Sequence, residues 1–103
     1  MNEFNIFMCG SWHIKPGEED SFIKLWQDFA NQSESPSAGR ARLLRDKTNL
    51  SHFLSYRDWQ SLEVVDEWRQ SPEFKQFFTQ VKKVVEKVDV YTLDKVADSE
   101  ANK

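Results

Sequence analysis

The sequence predicts an α+β domain of order β-α-β-β-α-β, and three observations carry that expectation. Apolar residues alternate through Phe4 to Ile14, as in a strand. They recur at helical spacing from Phe22 to Ala30 and again from Phe74 onward. Between these stretches lie two short strand-like runs, Arg40 to Arg45 and Leu50 to Arg57, joined by the turn-forming residues Asp46-Lys47-Thr48-Asn49.

Each element has its own signal. In the first strand the even positions from Phe4 to Ile14 are apolar except Gly10, and the odd ones are mixed, so both faces are expected to be at least partly covered. Pro16-Gly17 ends it, and Glu18, Glu19 and Asp20 follow where the positive end of a helix dipole favours acids. Phe22, Ile23, Trp26, Phe29 and Ala30 then share one stripe, and Asn31 to Gly39, rich in Ser and Pro, reads as a loop and candidate lid. Asp58 is expected to cap a second helix, in which Leu62, Val65 and Trp68 step by three. Ser71-Pro72 breaks that helix, with Ser71 as cap and Pro72 in the first turn of its continuation. The stripe Phe74, Phe77, Phe78, Val81, Val84, Val85 and Val88 predicts a helix through Val88, and Asp89 to Ala97 a last strand. This order is the ferredoxin-like pattern, one antiparallel sheet with a broken second helix.

At 103 residues the chain makes one domain, expected over 1–97, with 98–103 as a flexible polar tail. A domain of this size buries only about 60–65% of the surface its unfolded chain exposes, so a sheet covered on one side gains from a partner. A net charge of -3, with basic residues spread from Lys15 to Lys95, gives no nucleic-acid footprint. The single Cys9 excludes an intrachain disulfide and a multi-cysteine metal site, and reads as a small core residue. No basic leader region and no membrane-length apolar run are seen, so a cytoplasmic protein without membrane contact is expected. With 3 glycines in the chain a phosphate-cradling loop is not supported, and no Ser-His-Asp order stands out.

Several segments together resemble the antibiotic biosynthesis monooxygenase family. They are Trp12 and Lys15-Pro16-Gly17, Leu43-Leu44-Arg45-Asp46, Tyr56-Arg57-Asp58-Trp59, and Trp68-Arg69-Gln70-Ser71-Pro72-Glu73-Phe74. The resemblance runs from Phe4 to Ala97. It implies a homodimer, a dimeric α+β barrel in which two sheets pack face to face, with a cavity between each sheet and its own helices. It also implies cofactor-independent oxygenation of anthrone- or quinol-type molecules, with neither metal nor flavin, or haem degradation. The haem-degrading members use an Asn on the first strand, a Trp on the second helix and a His one helix later. Trp68 matches the Trp, but Phe78 stands at the iron-ligand position and Gly10 at the Asn position, so haem degradation is not expected.

The candidate catalytic residues are His52 and Tyr56. The chain has two histidines, His13 and His52, suited to proton exchange near neutral pH. His52 shares a strand face with Leu50, Leu54 and Tyr56, whose apolarity predicts the helix-facing side, whereas His13 is expected to point away from the helices. Tyr56 could hold a phenolic oxygen. Trp68, Trp12 and Phe78 are the candidate substrate-binding residues, since indole and phenyl faces suit a small aromatic or apolar molecule. The competing reading makes the same domain a non-catalytic binder of such a ligand, or a stress-associated protein.

Overall fold

The computed structural model describes residues 4–33 and 35–99. Its elements are β1 (Ile6–Ile14), α1 (Glu19–Gln32), β2 (Arg42–Arg45), β3 (His52–Trp59), α2 (Leu62–Arg69), α3 (Pro72–Val81) and β4 (Val85–Asp94). The strands form a four-stranded sheet of order β2-β3-β1-β4, and every neighbouring pair is antiparallel. The α+β, ferredoxin-like expectation holds. Of the expected tail, Asp98 and Ser99 lie within the described residues, and Glu34 of the expected loop lies outside them.

The alternation of β1 decides which sheet face the helices cover. Met8, Gly10, Trp12 and Ile14 are buried, while Phe7, Cys9, Ser11 and His13 are only partly so. Gly17 takes φ 90 in the turn that follows, a left-handed conformation that favours glycine, and its N–H donates to Glu19 Oε1 at 2.9 Å. In α1, Phe22 and Phe29 lie on the buried stripe.

The second helix is broken as expected. Ser71 caps α3 by accepting from the Phe74 N–H at 3.2 Å, Pro72 occupies its first turn, and the Ser71 hydroxyl donates to Trp68 O at 2.7 Å. Asp58 does not cap α2. It belongs to β3, which continues to Trp59 because Ile6 to Cys9 pair with Tyr56 to Trp59; Ser61 is the cap, accepting from Val64 N–H at 3.3 Å.

The helix expected through Val88 ends at Val81, and β4 starts at Val85 and ends at Asp94, short of Ala97. Valines spaced by three or four fit either period, and β-branched residues suit a strand when a neighbour is offered. Here β1 is that neighbour, through Ile14 with Val85 and Trp12 with Val88.

Two groups of buried side chains fill the space between sheet and helices. One is built on Trp12, Ile14, Phe22, Phe29, Phe53, Phe77, Val81 and Val84. The other holds Met8, Trp59 and Val65. Trp68 packs against both and so links them.

A candidate ligand cavity between sheet and helices

An apolar cavity of about 80 Å³ lies between the helix-facing side of the sheet and the helices. Gly10 and Trp12 of β1, Ser55 and Trp59 of β3, Phe29 of α1, and Trp68, Phe74 and Phe78 of the broken second helix all border it. The aromatic rings form a continuous wall. Trp68 stacks on Phe29 with centroids 5.4 Å apart, meets Phe74 edge-on at 4.7 Å, and tilts against Trp59 at 4.9 Å. Phe74 reaches Phe78 at 4.8 Å, and Phe78 reaches Trp12 at 6.2 Å. The three residues expected to bind substrate, Trp68, Trp12 and Phe78, are therefore brought to one cavity.

Of the expected catalytic pair, His52 is not among the residues that border the cavity. The helix-facing residues of β3 are Phe53, Ser55, Arg57 and Trp59, so His52, Leu54 and Tyr56 point to the opposite, open face. This corrects the expectation that His52 shares the cavity side. The apolar Leu54 and Tyr56 suggest the wrong phase, because the buried face of β3 carries a serine and an arginine. Tyr56 borders the cavity by its place on β3, yet its hydroxyl accepts from Arg42 Nη1 at 3.4 Å in an exposed position.

On the open face His52 joins a hydrogen-bonded line that sequence spacing conceals. Its Nδ1 lies 3.1 Å from Asp46 Oδ2 and its Nε2 lies 2.9 Å from Ser11 Oγ. Asp46 Oδ1 is held by the N–H and hydroxyl of Thr48, each at 2.8 Å. The Thr48 N–H, then His52, bring the Asp46 carboxyl down to about 2. Although the residue types are those of a nucleophilic triad, Ser11 sits in a central strand paired on both sides, directly across from Asp89. A developing oxyanion there would meet a carboxylate rather than donors, so the line does not build an acyl-transfer site. Burial pushes the Cys9 thiol up from its ordinary value, which keeps it protonated.

Two features of the cavity were not anticipated. Among the described residues Arg57 is the charged one on its wall; it is buried, and its Nη1 donates to Ser33 O at 3.1 Å and Ser33 Oγ at 2.9 Å at the end of α1. Ser55 accepts from Trp12 Nε1–H at 2.9 Å. Gly10 makes that bond possible, since a Cβ there would stand 2.7 Å from Trp12 Nε1 and 3.0 Å from Ser55 Oγ. The space a side chain at position 10 would take is thus filled by the edge of Trp12. The available signal was a glycine within the apolar even series of β1, two residues before a tryptophan.

Ala41, which ends the segment Ser35 to Ala41, also lines the cavity. The segment is tied to the end of β3: Gly39 N–H donates to Asp58 O at 2.6 Å, Gln60 N–H donates to Ser37 O at 2.9 Å, and Ala38 bridges Trp59. Among the described residues no group of three or more His, Cys, Asp or Glu could hold a metal ion, and no helix is long and apolar enough to cross a membrane.

A sheet covered on one side by helices, with an aromatic cavity between the layers, defines a ferredoxin-like α+β fold. Residues 6–80 match the model of the antibiotic biosynthesis monooxygenase family, and the chain belongs to that family. Similar solved structures include an antibiotic biosynthesis monooxygenase (TM-score 0.80, 17% identity, covering 89% of this chain and 99% of that one). A conserved protein from Methanosarcina mazei Go1 is also similar (TM-score 0.83, 15% identity, 89% and 93% covered). At such identities the likeness shows the fold. In sequence the chain is similar to the uncharacterized protein sll1783 of Synechocystis sp., 26% identical over 96 residues, and it spans 65% of that relative's length.

Proposed function

We propose that the protein is a monooxygenase that oxidises a compact, electron-rich phenolic or quinol-type molecule with O2 inside this cavity. The carrying observation is the cavity itself: aromatic walls at Trp12, Phe29, Trp68, Phe74 and Phe78, with Arg57 as the charged member. In such a reaction the ionised substrate supplies both reducing electrons. One oxygen atom of O2 enters the ring, and the other leaves as water with the two hydrogens the substrate gives up. The chain's part is to hold the ring, exclude bulk water and orient the oxygen to be ionised.

Size limits the substrate. About 80 Å³ is far below the roughly 300–1,000 Å³ of sites for drug-sized ligands. It is also below the roughly 150 Å³ of a cavity known to accept benzene. A single ring therefore enters only if the lining side chains give way, and a fused three-ring anthrone is disfavoured.

The second reading, a binder without turnover, is favoured by one observation: among the described residues no Asp, Glu or His lines the cavity. Oxygen uptake separates the two. With a series of methoxy-substituted hydroquinones and no added cofactor, saturable uptake above the protein-free rate supports the monooxygenase. Saturable tryptophan quenching without uptake supports the binder.

A homodimer belongs to the same reading. The open face carries Phe7, Cys9, Leu44, Leu54, Tyr91 and Leu93, and the last four of these leave about half of their surface exposed. A second copy placing its own open face on this one would cover them and form the barrel.

A further inference from the structure

The side-chain polar groups around the cavity are weighted toward donors. Ser55 commits a lone pair to the Trp12 indole, and its hydroxyl keeps a proton to donate. Trp59 Nε1 and Trp68 Nε1 are buried, and no hydrogen-bond partner is recorded for either among the described residues. Both tryptophans border the cavity. Arg57 carries donors and no acceptor. Buried donors are normally paired, so a ligand entering this cavity gains most by bringing an acceptor.

Ser55 is placed to receive it. It lies opposite Gly10 in the β1–β3 register, and no side chain at Gly10 stands between its hydroxyl and the Trp12 indole edge. A hydroxyl that accepts from an N–H becomes a stronger donor through its own proton.

We propose that Ser55, polarised by Trp12 across Gly10, orients the ligand, and that the cavity thereby selects a compact aromatic presenting an acceptor oxygen. A phenolate or a quinone carbonyl fits, and an aromatic amine does not. This deepens the functional reading above and rests on the cavity being the ligand site. The apolar wall opposes ionisation of a bound phenol, and the Ser55 hydroxyl favours it by a charge-assisted hydrogen bond. Ser55 is thus the group that tips a bound phenol toward its reactive, ionised form.

The test is a spectrophotometric titration of 4-nitrophenol, whose phenolate absorbs in the visible, into the wild-type protein, Ser55→Ala and Ser55→Cys. Toluene serves as a neutral competitor. The expected result is phenolate affinity about tenfold weaker in Ser55→Ala and a bound-phenol ionisation midpoint shifted upward, with toluene affinity unchanged. Ser55→Cys, similar in size with a weak donor, falls between and serves where the alanine variant fails to fold. Equal affinity and equal ionisation midpoint in wild type and the folded variants overturn the role of Ser55 while leaving the cavity reading intact. Failure of both 4-nitrophenol and toluene to bind the wild type overturns both.

Discussion

His13 and His52 stack across β1 and β3 with ring centroids 4.5 Å apart and planes 14° from parallel. The pair lies on the open face, beside Ser11 and Asp46 and away from the aromatic cavity. His52 is thus bonded within the open face, to Asp46 and Ser11, and does not face the cavity. His52→Ala is expected to lose about 1 kcal/mol of stability, through its bonds to Asp46 and Ser11, and to change cavity ligand affinity by less than about twofold. Denaturant melts paired with ligand titration check this. A large loss of affinity in the folded variant would restore His52 as a ligand residue.

Asp46 gives the acid limb of stability a specific contributor. Its folded value is lowered from an ordinary 3.8 to about 2, by the Thr48 N–H first and by His52 next. The native state thus binds the carboxylate's proton less readily than the unfolded chain does, and the contribution is full above about pH 4 and lost as pH falls toward 2. Asp46→Asn is expected to flatten the wild-type loss of stability over that interval. Melting temperatures measured in steps from pH 5 to pH 2 provide the comparison, and parallel curves would assign the acid limb to other carboxylates.

Gly10→Ala tests the close approach at the cavity floor. Its Cβ would stand 2.7 Å from Trp12 Nε1, which can yield only by leaving Ser55 or shifting within the core. A loss of about 1–3 kcal/mol is expected, the usual range for overpacking a filled interior. Urea unfolding of the variant gives the value, and a cost near zero would mean that the Trp12–Ser55 pair has room to move.

The open face makes the oligomeric state testable by one charge. The wild type is expected to be a dimer at micromolar concentration, burying on the order of 1,200 Å² or more. Leu54→Lys, beside Leu44 on the open face, is expected to give a folded monomer. Light scattering of both proteins decides it, and a wild-type monomer would remove the barrel from the account.

Much of the fold is legible because local signals agree with the tertiary result. The even face of β1 and the Ser71-Pro72 joint both follow from residue type and spacing alone. The errors arise where two periods or two faces compete. Val84, Val85 and Val88 satisfy a helix as well as a strand until β1 is present to pair with them. On β3 the apolar residues Leu54 and Tyr56 lie on the face the helices leave uncovered, while Ser55 and Arg57 point inward. The local sequence of β3 carries no mark of which of its faces the helices cover. Ser55 was overlooked for the same reason, since its partner Trp12 lies 43 residues away in the chain.

The central claim is that the ligand occupies the cavity between sheet and helices and not the open face. The most direct test follows the four tryptophan indole N–H resonances in 15N-labelled protein during titration with 4-nitrophenol. Saturable shifts are expected for Trp12, Trp59 and Trp68, with the His13 and His52 backbone signals unmoved. Shifts confined to His13, His52 and Tyr91, with the indole signals static, would place the ligand on the open face and contradict the account.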